Sequence, residues 1–286
     1  MTSSAAQMVN ALTVDVEDYF QVSAFERHIS REDWSRLPAR VEDNTHKILD
    51  LFADHGVKAT FFTLGWVAQQ FPQLVRAIVA GGHELACHGM AHVRVTEQNP
   101  AEFRDDVRRC KALLEDIGGM EVLGYRAASY SIGAGNLWAL KVLQDSGFAY
   151  SSSIYPVRHD LYGMPDAPRF AFRPKNAPAL LEIPVTTVHI AGRNLPCGGG
   201  GYFRLLPYVL WRWGMRHVNQ KDGQPGIFYF HPWEIDPHQP RQRGISFKTR
   251  FRHYLNLTRM QSRLECLLRD FRWNTVANVF ASHLAP

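Results

Sequence analysis

Disulfides, metal-ribbon cysteines and membrane spans are all missing from this chain. Its four cysteines, Cys87, Cys110, Cys197 and Cys266, are scattered, with no Cys-x-x-Cys. That spacing argues against a disulfide framework and a zinc ribbon, and favours a reducing compartment. No apolar run approaches the ~20 residues of a membrane span. Residues 1–10 lack a basic start followed by an apolar stretch, so no secretory signal is read and the expected compartment is the cytoplasm, with the periplasm as the alternative. No internal repeat or low-complexity linker is evident. The glycine run at 198–201 is not followed by the Gly-Lys-Ser/Thr of a phosphate loop, and reads instead as a flexible or close-approach segment.

What is present is an ordinary globular composition, 45% hydrophobic and 21% charged, in 286 residues, enough for one large domain. The basic excess lies late. Between Arg241 and Arg272 arginines are many and acids few, with Phe251, Tyr254, Leu255, Leu264, Leu267, Leu268 and Phe271 at helical spacing. This reads as an amphipathic helix with a solvated cationic face. A nucleic-acid partner is not expected.

Apolar runs alternate with helical patterns. Strands are expected over 11–16, 58–64, 84–87, 121–125, 148–151, 180–188 (with Pro184 inside) and 227–230. Helices are expected over 44–55, 72–80, 99–117, 136–146 and 206–218. The order implies an α/β fold with a largely parallel sheet, either a barrel or a doubly wound sheet. Residues 160–179, rich in proline and polar side chains, read as a long decorating loop.

Polar groups fall at the ends of four of these strands: Asp15-Val16-Glu17-Asp18, the pair His88 and His92, Arg126, and His231. Parallel strands gather their carboxyl ends on one face, where active sites form. Two histidines four positions apart can face one way on a helical turn and reach one divalent ion. Three acids in four positions repel unless a cation compensates them. Cys87 would point to the opposite face of its strand, and His83 reads as structural.

These motifs resemble those of the polysaccharide deacetylases, the NodB-type family 4 carbohydrate esterases, in the branch associated with exopolysaccharide synthesis and exosortase systems. The resemblance rests on Thr13–Phe20, the His-x-x-x-His of His88 and His92, Tyr125–Ser131, Leu181–Val185, the run from Gly198 to Pro207, and Tyr229–Glu234. It spans roughly Leu12 to Phe280. It implies a distorted, incomplete (β/α) barrel over 1–286, with the catalytic motifs in 12–233 and a C-terminal extension from about 236. The implied activity is metal-dependent removal of N-acetyl groups from N-acetylhexosamine units of a polysaccharide or its precursor.

The resemblance implies Asp15 as general base, His231 as general acid, Arg126 as the holder of Asp15, and His88 and His92 as ligands of a divalent metal, with zinc the best match. Tyr130 and Trp233 are the expected sugar contacts, and a backbone N–H near Tyr130 the expected oxyanion donor. Two positions depart from the family pattern. Val16 stands where the family has a second, metal-binding aspartate, so Glu17, on the same side of the strand as Asp15, is the expected third ligand, with Asp18 the alternative. Ser151 stands where relatives often carry an acid. The competing readings are an amidohydrolase of a small cyclic amide or ureide, a catalytically silent glycan-binding homologue, and a non-haem iron oxygenase, which shares two histidines and a carboxylate.

Overall fold

The computed structural model describes residues 8–160 and 162–285. Residues 1–7, where a signal was sought, lie outside the described residues, as do Leu161 and Pro286. The strands are β1 (Val9–Val16), β2 (Thr60–Thr63), β3 (Glu84–Cys87), β4 (Gly124–Tyr125), β5 (Tyr150–Ser151), β6 (Leu181–Glu182), β7 (Thr187–Ile190), β8 (Arg193–Pro196), β9 (Ile227–Phe230) and β10 (Arg272–Asn274). All except the β7–β8 hairpin belong to one parallel sheet, in the order β9-β1-β2-β3-β4-β5-β6. Ala11 of β1 pairs with both Ile227 and Asn274, so β9 and β10 lie on opposite edges of β1, and β10 shares an edge with β2, end to end.

This sheet is the curled half-barrel of an α/β fold, the incomplete barrel that the resemblance implies rather than a doubly wound sheet. Alternation along β1 separates two cores. Leu12, Val14 and Val16 pack outward with Phe61, Phe228 and Phe230 against the helices Val41–Asp54, Tyr208–Gln220 and Met260–Asp270. Ala11 packs inward with Phe62, Ala86, Tyr150 and Ile227. Val16 therefore belongs to the helix-facing core, and at full burial its apolar side chain needs no partner there.

Residues 197–199 bridge the gap between the two ends of the sheet. Gly198 donates its N–H to Thr186 O at 2.9 Å and accepts from Tyr229 N at 2.8 Å. A Cβ on Gly198 would lie 2.5 Å from Ile227 O and 2.9 Å from Thr186 N, so only glycine closes this seam without displacing backbone. The glycine run is a close-approach segment.

Several boundaries differ from the sequence expectation, each for a local reason. The expected strand over 180–188 is two strands, β6 and β7, separated around Pro184, which has no N–H for a ladder. The helix expected over 206–218 begins at Tyr208, after Pro207, with a separate short helix Gly200–Leu205 before it. The arginine-rich helix is two helices, Phe247–Tyr254 and Met260–Asp270, because Asn256 takes a left-handed conformation (φ 53°) between them. Among the described residues no helix is long and apolar enough to cross a membrane.

Candidate active site

Asp15 ends the inward face of β1, His88 follows β3, Arg126 follows β4 and His231 follows β9. All stand at the carboxyl end of the half-barrel, and Asp15, Glu17, His88, His92, Tyr130 and His231 line one cavity of about 380 Å³. That size falls in the range of roughly 300–1,000 Å³ common for small-molecule sites.

The two histidines meet, but not on a helical turn as expected. They flank a loop in which Gly89 has φ 78° and His92 φ 52°. These left-handed positions fold the chain back, so that the ring centroids lie 5.4 Å apart. His88 Nδ1 lies 2.8 Å from the Arg126 carbonyl oxygen, which assigns the ring proton to Nδ1 and leaves Nε2 as a lone-pair donor. Burial lowers the His88 pKa to about 4, keeping the ring neutral as a metal ligand must be.

Glu17 completes this group. Ligand atoms of Glu17, His88 and His92 all lie within 4.8 Å of one another, and all three residues are buried. Glu17 Oε2 is 2.9 Å from His92 Nε2, yet it has no aligned hydrogen-bond partner among the described residues. A carboxylate oxygen and an imidazole nitrogen buried this close together, with His88 beside them, fit the donors of a common cation. Burial alone would raise the Glu17 carboxyl. The facing imidazoles of His92 and His231 outweigh it and hold the group at about 2.

Asp18, the alternative ligand, points elsewhere. Its carboxylate accepts the backbone N–H groups of Tyr19 (2.8 Å), Arg40 (2.6 Å) and Val41 (2.9 Å), and so fastens the start of the helix Val41–Asp54. Asp18→Asn is therefore expected to lower stability by about 1.5–3 kcal/mol, read by urea unfolding, while leaving the metal content unchanged. Loss of metal in that variant would restore Asp18 as the ligand.

Arg126 is fully buried. Its Nη1 donates to Asp15 Oδ1 at 2.6 Å and Thr13 Oγ1 at 2.8 Å; its Nε and Nη2 donate to Ser152 O and Ser152 Oγ, each at 3.1 Å. Its guanidinium carbon lies 4.0 Å from the Phe62 ring centroid. His231 stands across the cavity, with Nε2 at 3.9 Å from Asp15 Oδ2 and 3.4 Å from Glu17 Oε1.

Two expected sugar contacts fare differently. Both faces of Trp233 are taken, one by His231 (5.2 Å, 20°) and one by His253 (4.2 Å, 14°), leaving an edge for a ligand rather than a stacking face. Tyr130 packs among Tyr155, Tyr162 and Tyr229, and its buried hydroxyl has no hydrogen-bond partner among the described residues. The Tyr130 N–H is committed to the Ala127 carbonyl at 3.0 Å, so that amide is not the expected oxyanion donor.

Sequence reasoning missed three buried charged groups. Glu234 and Arg204 form an ion pair (2.6 Å) behind His231, and a periodicity reading cannot see a pair thirty positions apart. Glu182 is the third. It pairs in register with Ser151, so a carboxyl stands on the next strand beside the position of the missing acid. Burial pushes it up to about 7, against the opposing pull of Ser151, the Ile154 and Ser153 amides and Arg126. With its folded pKa above the unfolded value near 4.5, its contribution to stability is complete at pH 4 and is lost as pH rises through 7. Stability is expected to fall by a few kcal/mol between pH 4.5 and 8, and Glu182→Gln to flatten that slope, both read by urea unfolding. An unchanged slope would place the titration elsewhere.

The arginine-rich segment also reaches the site: Lys248 and Arg252 line the cavity and share Asp160 as ion partner, at 2.6 and 3.4 Å.

Comparison with known proteins agrees with this geometry. Residues 32–151 match the polysaccharide deacetylase family model, and residues 152–281 match a model described only as a domain of unknown function. A chitooligosaccharide deacetylase from Bradyrhizobium sp. (strain ANU 289) is 32% identical over 39% of this chain and 48% of its own length, so the chain spans about half the length of that curated relative. A deacetylase-family crystal structure from Mycobacterium smegmatis superposes with TM-score 0.61 at 18% identity, covering 98% of this chain and 92% of its own. A crystal structure of an allantoinase does so with TM-score 0.60 at 14% identity, covering 98% and 92%. At those identities the superpositions show the shared fold alone. Residues 32–151, which carry β2 to β5, belong to the polysaccharide deacetylase family, and the motif residues that resemble its NodB-type members stand at the ends of these strands and their neighbours.

Proposed function

We propose that this protein is a metal-dependent N-deacetylase of N-acetylhexosamine units in a polysaccharide or its precursor, acting in bacterial exopolysaccharide synthesis. One observation carries the reading. An arginine-held carboxylate, a two-histidine-one-carboxylate cluster and an opposed imidazole converge on one cavity.

His88, His92 and Glu17 would hold the divalent ion. Zinc suits two imidazoles and a carboxylate, and three protein ligands leave a position open. Such an ion supplies a water of lowered pKa and polarises an acyl oxygen. Asp15, fixed through Oδ1 by Arg126, has Oδ2 turned to the cavity to take the proton of the attacking water. His231 gives a proton to the departing nitrogen as the C–N bond breaks, so that water and amide become acetate and a free amino sugar. Tyr130 and the edge of Trp233 border the space the sugar would occupy.

The test is metal content and acetate release from N-acetylglucosamine oligomers. Wild type reconstituted with zinc should bind one ion and release acetate, and Glu17→Ala should lose both. A wild type that binds no metal, or that leaves these oligomers intact while opening a cyclic ureide, would sink the proposal.

A further inference from the structure

We propose that Glu234, gripped by Arg204, is the positioning residue of His231, fixing a proton on Nδ1 so that Nε2 faces the reacting centre. The inference rests on the deacetylase reading above and concerns how that site is held. Glu234 Oε1 lies 2.8 Å from His231 Nδ1 and also accepts the His231 backbone N–H at 3.1 Å, so one oxygen fixes both the ring and its main chain. Oε2 accepts from Arg204 Nε at 2.6 Å. The Nη1 and Nη2 of Arg204 go to main-chain carbonyls of Arg252, His253 and Leu255. Neither residue of the pair is more than 2% exposed. Trp233, stacked on the imidazole, restricts rotation of the ring.

Two features show that this is a built arrangement. A buried ion pair contributes little more to stability than an apolar pair of similar volume, so its presence calls for another reason. And the chain makes room for it: a Cβ on Gly200 would collide with the Glu234 carboxylate, which places a glycine where the close approach requires one. Ser151 supplies no carboxylate to the histidine, so an acid three residues downstream takes that position. A carboxylate on Nδ1 fixes the imidazole tautomer and stabilises the ring while it holds two protons. As the acyl C–N bond breaks, its electron pair stays on nitrogen and takes the Nε2 proton. The ring is left neutral, with its remaining proton on Nδ1 shared with Glu234.

The test uses full-length protein reconstituted with zinc, as wild type, Glu234→Gln, His231→Ala and the double variant. An amide needs its leaving nitrogen protonated, whereas 4-nitrophenyl acetate loses a phenolate that does not. Glu234→Gln should lower kcat for acetate release from N-acetylglucosamine oligomers by about 10–100-fold, with KM and zinc content unchanged. It should lower 4-nitrophenyl acetate turnover less than about threefold, and add nothing to the loss in His231→Ala. Nitrogen-15 spectra of the imidazoles, assigned with His231→Ala, should show His231 Nδ1 protonated throughout the stable pH range. Equal losses on amide and ester, additive losses in the double variant, or an unprotonated Nδ1 in wild type would each overturn the assignment. A wild type inert towards amides would sink the deacetylase reading instead, and the nitrogen spectra would still decide the role of Glu234.

Discussion

Asp15→Asn should lower kcat for acetate release by about 10²–10⁴-fold, the range a positioned general base contributes, with metal content unchanged. The amide has the shape of the carboxylate and can still accept from Arg126 at Oδ1. It cannot take the proton of an attacking water at the position of Oδ2, where the substituted group has no basic lone pair. Metal retention follows from the geometry, because the cluster within 4.8 Å comprises Glu17, His88 and His92 and not Asp15. The measurement is acetate release beside metal analysis on the same preparation. Full activity, or loss of metal in step with loss of activity, would remove Asp15 from the role of base.

Replacing Arg126 with leucine should be among the most destabilising single changes in the protein. The guanidinium is fully buried and lies against Asp15 and the Phe62 ring, so its removal leaves the Asp15 carboxylate, 2% exposed, without its cation. Breaking a buried pair from one side costs about 3–5 kcal/mol. Urea unfolding at pH 7 reads the change. The double variant Asp15→Leu with Arg126→Leu should recover part of the loss, because the uncompensated charge goes with the second substitution. A double variant less stable than Arg126→Leu would show that the loss arises from packing rather than charge.

The strand ends, the alternation and both histidines were readable because each is a short-range property. From Ala11 to Val16 the residues of β1 alternate between the two cores, and Asp15 and Glu17 share the parity of Ala11. The means by which the histidines converge was not readable: a helical turn was the simplest geometry for their spacing, and the left-handed Gly89 and His92 do the same work in a loop. The hairpin of β7 and β8 was hidden for a similar reason. Its turn, Ala191-Gly192, needs two positive φ values, and alanine at φ 50° carries none of the asparagine signal that marks such turns. β10 is three residues long, too short to alternate, and is held in place by its pairing with β1. Arg204 on the helix Gly200–Leu205, Glu234 on the turn after β9 and Glu182 on β6 are legible only once those elements are laid side by side.

The placement of β1 has a consequence for how the molecule is made. The first strand of the described chain finds partners in β9 and β10, more than two hundred residues downstream. The strand that brings His231 beside Asp15 is synthesised more than two hundred residues after it. Until then β1 has an open edge, the arrangement most prone to wrong pairing. Contacts of such separation make folding slow and leave the nascent chain open to aggregation. A fragment stopped at the junction of the two family matches, after residue 151, would carry His88, His92 and Arg126 but neither His231 nor the strands β9 and β10 that complete the pairing of β1. The second family match is thus no appendage: without it the first half has neither a finished sheet nor a finished site.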